Sequence, residues 1–451
     1  MIIASNRGPY TFAAGGFQHS SGGLVSAVEP VLSEAGGTWI AWAGRTPAES
    51  NKNAQFDAFL PYNFSEVTLT AEEHAGYYLG FANRVLWPLC HGFVGYCHFA
   101  PEYWKTYVKV NRKFARQVAR AAPAGDLVWL NDYHLALAPL FLATRPDLKL
   151  FFFWHIPFPA WETWRILPWG RQILRGLAAC RRVGFHTQEY AENFKNALRH
   201  EGLAEPEIVA TPIGIDAQHF RDLAAQEKTK RFAAAWRSRL NTKRVLIGVD
   251  RQDYTKGLPE KLRGFEKFLS DSPRWAGKVS LVQVMVPSRT DIPEYRAVRT
   301  QVEQDVRRIN QKFGRTNYRP VELIYRSLSP PELVGLYLAA DAALVTPLRD
   351  GLNLVAKEYI ASHWPDDGVL VLSRWAGAAQ GLSGAILTNP YHSANLARAI
   401  STALTMPAKE KSVRFSSLKK LVFHNNLFEW RDTFLAGQID EVTSQGTKTA
   451  T

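Results

Sequence analysis

The sequence predicts an α/β protein built from two doubly wound halves. Short apolar runs of strand length alternate with charged, amphipathic stretches of helix length, the pattern of βαβ layers. The alternation occurs twice, with a break at Thr211-Pro212-Ile213-Gly214-Ile215-Asp216. Polar groups gather just after the strands, where open parallel sheets bind ligands.

In chain order, Met1-Ile2-Ile3-Ala4-Ser5-Asn6-Arg7 turns polar after its apolar start and carries no basic leader, so 2–4 reads as a first strand and not a signal peptide. Ser20-Ser21-Gly22-Gly23-Leu24 precedes a helix expected at 25–35, and its glycines allow close approach of backbone to a phosphate, although turns use glycine everywhere. Further strands are expected at 39–43, 127–130, 150–155, 183–185 and 208–211, and residues 217–242 read as charged helix. The second series has strands at 245–250, 279–286, 321–325, 342–345 and 369–372.

The segment V-T-P-L-R-D-G-L-N-L-V-A-K-E-Y, 345–359, is the most informative. The apolar run 342–345 leads through Pro347 and the polar turn Arg349-Asp350-Gly351 to a helix over 353–362. A helix starting after a buried strand presents backbone N–H groups and the positive end of its dipole, an anion site. Glu358 follows Asp350 by about two helical turns, so both carboxylates are expected on one side of the same helix. Such a cradle suits a ligand with phosphate and hydroxyls, such as a nucleotide sugar. The competing reading is an ordinary strand–turn–helix with solvated charges.

Composition narrows the classes. With 451 residues and 46% hydrophobic content, the chain should form about two or three domains with large cores. Three cysteines make no disulfide framework and point to the cytoplasm. The longest apolar runs, 135–143 and 150–154, are too short or Pro-interrupted to span a bilayer, so no membrane role is expected. A net charge of +13 raises nucleic-acid binding. The cations are dispersed, however, with the densest cluster at 409–420 reading as a solvated helix face, and no zinc-finger, KH or RRM signature occurs. Basic charge equally draws anionic small substrates. The absence of G-x-G-x-x-G, G-x-x-x-x-G-K-[ST] and G-x-S-x-G disfavours hydride, P-loop and serine-hydrolase chemistry.

Asp132 and His134 follow strand 127–130, His155 ends strand 150–155, Arg251 and Lys256 follow 245–250, and Arg289 follows 279–286. Basic groups converging at strand ends point to a polyanionic ligand. Cys90-His91 and Cys97-His98 fit no common zinc spacing and read better as buried cysteines, so no metal site is expected. Trp154, Trp161, Trp164 and Trp169 read equally as a sugar-stacking wall or as core packing.

The motifs S-N-R (5–7), S-G-G-L (21–24), W-I-A-W-A-G (39–44), V-L-W-P (85–88), D-Y-H-L (132–135), H-I-P-F-P (155–159), P-I-G-I-D (212–216), D-R-Q-D-Y-T-K-G (250–257), V-P-S-R (286–289), T-P-L-R-D-G-L-N-L-V-A-K-E-Y (346–359), V-L-S-R-W-A-G-A-A (370–378) and N-P-Y (389–391) run in order along the chain. With them the chain resembles glycosyltransferase family 20, the family of the trehalose-6-phosphate synthases, over roughly 1–440. The resemblance implies a GT-B arrangement, two Rossmann-like domains facing a central cleft. An acceptor domain would span 1–220 and a nucleotide-sugar domain 221–425. A C-terminal helix, 426–441, would cross back to the first domain, and 442–451 would be a disordered tail.

The same resemblance implies a retaining hexosyltransferase that needs no metal or other cofactor. It would move glucose from a nucleotide-glucose to glucose 6-phosphate, giving α,α-trehalose 6-phosphate. Arg251 and Lys256 would hold the donor diphosphate, helped by Asn353 and the backbone amides of Leu354 and Val355, and Glu358 would accept from the ribose. Asp350, His155, Gly22 and Gly23 would hold the donor glucose. Arg251, Lys256, His155 and Asp350 form the implied catalytic set. Arg7, Tyr78, Trp87 and Arg289 would bind the acceptor phosphate, and Asp132 an acceptor hydroxyl.

UDP, GDP and ADP donors all stay open, as do a homo-oligomer and a family sibling with another phosphorylated acceptor. Such siblings include a glucosylglycerol-phosphate synthase and a C–N-forming pseudo-glycosyltransferase, and a separate alternative is a non-catalytic sugar-phosphate-binding regulator. The sequence lacks the D-x-D-x-T signature of the phosphatase fused to some relatives, so a separate phosphatase is expected in the pathway. Asn131 stands where the family often has His, Gln252 where an apolar residue is usual, and 194–211 is short.

Overall fold

The computed structural model describes residues 1–13, 16–20, 23–50, 60–363 and 367–436. The chain divides into two compact units, Met1–Ile213 with Leu427–Thr451, and Gly214–Asn426.

The first unit contains β1 (Ile2–Arg7), the antiparallel hairpin β2 (Tyr10–Ala13) and β3 (Gly16–His19), then β4 (Thr38–Trp42), β5 (Asn63–Glu66), β6 (Leu127–Asn131), β7 (Lys149–Phe153), β8 (Arg182–Phe185) and β9 (Glu207–Ala210). Its main sheet is parallel, in the order β5-β4-β1-β6-β7-β8-β9. Every residue of β6 is buried, because a parallel sheet has helices on both faces. That is why its strands read as continuous apolar runs.

The second unit contains β10 (Arg244–Arg251), β11 (Val279–Val286), β12 (Val321–Ile324), β13 (Ala342–Val345), β14 (Val369–Ser373) and β15 (Ile386–Thr388). They pair in parallel in the order β12-β11-β10-β13-β14-β15. Ignoring the hairpin, both sheets start at an inner strand, wind to one edge, then return to wind the other way. This is the doubly wound order, and its switch point is where a ligand binds at the strand ends. The switch lies between β1 and β6 in the first unit and between β10 and β13 in the second.

All the strands expected from apolar runs are present, β11 and β13 with the expected ends and the others with ends shifted by at most three residues. The hairpin, β5 and β15 were not anticipated. The β5 residues N-F-S-E form a polar edge strand and β15 is three residues long, so neither makes an apolar run.

The helix Leu427–Leu435 packs within the first unit, where Trp430 and Phe434 lie 5.1 and 5.3 Å from Trp129. Arg182 Nη1 also donates to the Phe434 carbonyl at 2.6 Å. The expected end of this helix past 436 and the tail 442–451 lie outside the described residues. No described helix is long and apolar enough to cross a membrane.

Candidate active site

In the second unit, β10 ends in Arg251 and the chain turns through Asp253, Thr255 and Lys256. Gly257 then takes φ +64°, and a Cβ there would meet the Thr346 carbonyl at 2.8 Å, so this close turn against the end of β13 requires glycine. The turn hydrogen-bonds to the segment after β13, as Leu348 N–H donates to the Thr255 carbonyl at 2.8 Å. Lys256 Nζ is thereby brought 2.6 Å from Asp350 Oδ2, with both side chains largely buried. Asn353 Nδ2 donates to the same oxygen at 3.0 Å.

Asp350 and Glu358 do not share a helix as expected. Asn353 adopts φ 79°, ψ 92°, so the helix is Leu354–Ser362 and Asp350 lies in the turn before it, bridged to Ala376. Because the Asn353 side chain bonds Asp350 and makes no capping bond, the first N–H groups of the helix are not closed by their own N-cap. Glu358 accepts a hydrogen bond from the Tyr337 hydroxyl at 3.0 Å. Burial raises its pKa, while the Tyr337 bond acts in the opposite direction.

Asp253 is fully buried beneath these cations. Its Oδ2 lies 3.5 Å from Arg289 Nη1 and 3.8 Å from Arg251 Nη2, while Oδ1 accepts from Thr255 N–H and Oγ1. Burial works against ionisation, yet the charges of Arg251, Arg289 and Lys256 hold this carboxyl below the usual Asp value. Arg289, with φ 48°, also donates to the Tyr295 hydroxyl at 2.6 Å. Gln252 is completely buried, donates to the Tyr295 carbonyl at 2.7 Å and accepts from the Tyr325 hydroxyl at 2.7 Å. A polar residue fits this position because both ends of its amide are used.

In the first unit, Arg7 ends β1 with its guanidinium 5.4 Å from the Tyr78 ring centroid, a cation–π contact. Tyr78 stacks between His74 and His134, at 5.3 and 5.7 Å. Trp87, also buried, lies 5.9 Å from Tyr133. Asp132 follows β6 with φ 70°, ψ 161°, a region essentially reserved for glycine that costs about 1–3 kcal/mol. It is held there because its N–H donates to the Phe153 carbonyl and Oδ1 accepts from the N–H groups of Tyr133 and His155. His155 Nε2 lies 3.1 Å from Asn131 Oδ1, which makes that nitrogen the donor. Burial pushes the His155 pKa down to about 3, so the ring is neutral at pH 7. Gly23 opens the helix Gly23–Ala35 and is exposed, and Gly22 lies outside the described residues.

The tryptophan quartet is not a sugar wall. Trp154 and Trp164 are fully buried, Trp161 stacks on His200 at 4.8 Å, and Trp169 on Trp104 at 5.4 Å. Cys90 is buried, as expected, whereas Cys97 is only half-buried, and among the described residues no cluster of three His, Cys, Asp or Glu is placed to hold a metal. Asp253 sits inside a motif already noted, yet its burial under three cations depends on β11 as well as β10. Tyr337 comes from a different helix from Glu358, and nothing local in the sequence pairs them.

Asp132, Arg289 and Asn353 are three of the five described non-glycine residues with positive φ. Backbone strain of this kind gathers at ligand sites. Two parallel sheets, each with charged and strained residues at its switch point, define the class as a doubly wound α/β protein with candidate ligand sites at its strand ends. The family model of glycosyltransferase family 20 matches residues 2–438, and the chain belongs to that family.

It is 39% identical to the UDP-forming alpha,alpha-trehalose-phosphate synthase 1 of Aspergillus fumigatus, over 96% of this chain and 89% of that protein. A UDP-forming synthase from Burkholderia xenovorans, solved in complex with glucose-6-phosphate, has a TM-score of 0.90 at 32% identity, over 97% of this chain and 99% of that one. A trehalose-6-phosphate structure from E. coli, bound with UDP-2-fluoro glucose, has a TM-score of 0.89 at 31% identity, over 97% and 98%.

Proposed function

We propose that this enzyme transfers glucose from UDP-glucose to glucose 6-phosphate with retention, giving α,α-trehalose 6-phosphate. The observation that carries the reading is the Lys256–Asp350–Asn353 cluster at the second unit's switch point, directly before the helix Leu354–Ser362. It joins an ammonium group, a helix N-terminus and a carboxylate, the groups needed for a diphosphate joined to a sugar. The choice of uridine is supported by the UDP-forming relatives.

Arg251 and Lys256 would neutralise the departing diphosphate, and the amides of Leu354 and Val355 would assist. Glu358 would accept from the ribose. Asp350, His155, Gly22 and Gly23 would hold the donor glucose. Arg7, Tyr78, Trp87 and Arg289 are assigned to the acceptor phosphate and Asp132 to an acceptor hydroxyl. In a same-face displacement the C1–oxygen bond to diphosphate breaks as the acceptor oxygen bonds to C1. The acceptor proton passes to the leaving phosphate oxygen. The protein's part is electrostatic stabilisation and positioning, so neither a side-chain nucleophile nor a metal is assigned.

The neutral His155, whose single N–H is given to Asn131 Oδ1, would accept a hydrogen bond from a sugar hydroxyl at Nδ1 and would not carry a charge. We place the reaction in the cytoplasm, where the three free cysteines stay reduced, with a separate phosphatase consuming the product. The test crosses UDP-, GDP- and ADP-glucose with glucose 6-phosphate and glycerol 3-phosphate, identifying products by NMR and mass spectrometry. A 1,1-linked α,α-disaccharide phosphate formed only with glucose 6-phosphate is expected. Turnover with glycerol 3-phosphate instead would replace this reading with that of a sibling enzyme.

A further inference from the structure

The first unit contains a π-helix, His74–Leu86, between the short α segments Ala71–Glu73 and Trp87–Cys90. Such winding is rare and usually confined to a single turn, often at functional sites. Here it extends over 13 residues and closes with Trp87 N–H donating to the Ala82 carbonyl, five residues back.

The winding decides which side chains share a face. At 3.6 residues per turn, Tyr78 and Trp87 would lie about two and a half turns apart, on opposite faces. With i→i+5 bonding, at roughly four and a half residues per turn, they lie about two turns apart on one face. The ring contacts agree. Tyr78 stacks on His134 at 5.7 Å and Trp87 lies 5.9 Å from Tyr133, and these two partners are neighbours in the short turn after Asp132. Tyr77 and Phe81 pack elsewhere, 5.8 and 4.4 Å from Tyr107 of the helix Pro101–Ala121.

One buried side chain ties this winding to the strand end. Asn83, 1% exposed, donates from Nδ2 to the Tyr78 carbonyl at 2.7 Å, and its Oδ1 accepts from the Tyr133 hydroxyl at 3.0 Å. An α-helix would give the Tyr78 carbonyl to the N–H four residues on. Capture by a side chain five residues on favours the wider turn. The second bond anchors that turn to the ring that Trp87 faces.

We propose that Asn83 is a positioning residue for the acceptor phosphate, holding the π-winding that presents Tyr78 and Trp87 together. This rests on the assignment of Tyr78 and Trp87 to that phosphate.

The test compares Tyr78→Phe, Asn83→Ala, Tyr133→Phe and the Tyr78→Phe/Asn83→Ala double variant of the full chain. Each is measured for KM of glucose 6-phosphate, for kcat, and for UDP affinity by calorimetry. Asn83→Ala is expected to raise that KM about tenfold with UDP affinity unchanged. Tyr133→Phe, the milder change should Asn83→Ala fail to fold, should raise it about threefold. The double variant should exceed Tyr78→Phe alone by less than tenfold, because the part of the Asn83 effect that acts through the Tyr78 hydroxyl is already lost and only the part through Trp87 remains. Additive effects, or folded Asn83→Ala and Tyr133→Phe proteins with unchanged KM, would overturn the positioning role while leaving the phosphate assignment in place. An unchanged KM in Tyr78→Phe would remove the assignment itself, and the proposal with it.

Discussion

The second unit's switch point is ionic, whereas the first unit's is mainly aromatic, although both sheets wind in the same order. After β10 and β13, Lys256 is paired with Asp350, and Asp253 compensates Arg251 and Arg289. After β1 and β6, a single guanidinium, Arg7, meets a stack of His74, Tyr78 and His134 beside a strained Asp132. The comparison separates two jobs. Topology decides where ligand groups gather, and the side chains placed there decide what they bind. The charges of Lys256 and Arg251, each held by a rigid countercharge, suit a leaving group whose charge grows in the transition state. A ring stack with one cation suits a ligand recognised by shape and a fixed charge.

Lys256→Ala should break the ionic side most severely. It removes compensation for the leaving group and leaves Asp350 without its ammonium partner, so kcat should fall by roughly 10²–10³-fold, a few kcal/mol. Steady-state rates with saturating substrates measure it, and activity within twofold of wild type would end the role given to Lys256.

Arg289→Ala should raise KM for glucose 6-phosphate roughly ten- to hundredfold and that for the donor far less. It also removes a cation from Asp253. The stability that Asp253 contributes is present above the ordinary Asp pKa and is lost as pH falls through its depressed value. Without Arg289 that loss should begin at higher pH, visible in acid unfolding followed by circular dichroism.

Glu358→Gln should weaken UDP-glucose binding about tenfold. In the parent protein, donor affinity should decline on acidification at a pH above the ordinary Glu range, because burial raises this carboxyl. Tyr337→Phe removes the bond that opposes the shift, so it should move the decline to still higher pH. Titration of donor affinity against pH decides between these outcomes.

Gln252→Leu should cost about 1–3 kcal/mol of stability, because the Tyr325 hydroxyl and Tyr295 carbonyl lose their partners, with little change in kcat. The smallest expected effect belongs to His155. With its pKa pushed down to about 3, the profile of kcat against pH should show no step attributable to this ring near 6.5. A step there that vanished in His155→Asn would reverse the view of a neutral imidazole.

Much of this was legible in the sequence, for a physical reason. Strands buried on both faces must be apolar throughout, so β6, β11 and β13 stand out as uninterrupted runs, and the polar residues that follow them mark the strand ends. Asp132, Arg251, Lys256, Arg289 and Asp350 were marked this way, whereas Arg7 was singled out only through the family resemblance. Spacing misled where the backbone left its regular period. Asn353 breaks the helix that would have carried both Asp350 and Glu358.

The chain by itself determined the alternation of strands and helices, the break near Gly214 and the cations and carboxylates available at each strand end, since these depend on local periodicity and residue type. Only the tertiary structure decided which of them meet. The Lys256–Asp350 pair, Asp253 beneath two guanidiniums, Tyr337 on Glu358 and Asn83 between Tyr78 and Tyr133 nearly all join groups far apart in sequence. Such pairings follow from strand order and helix winding, and neither can be read from a residue's immediate neighbours.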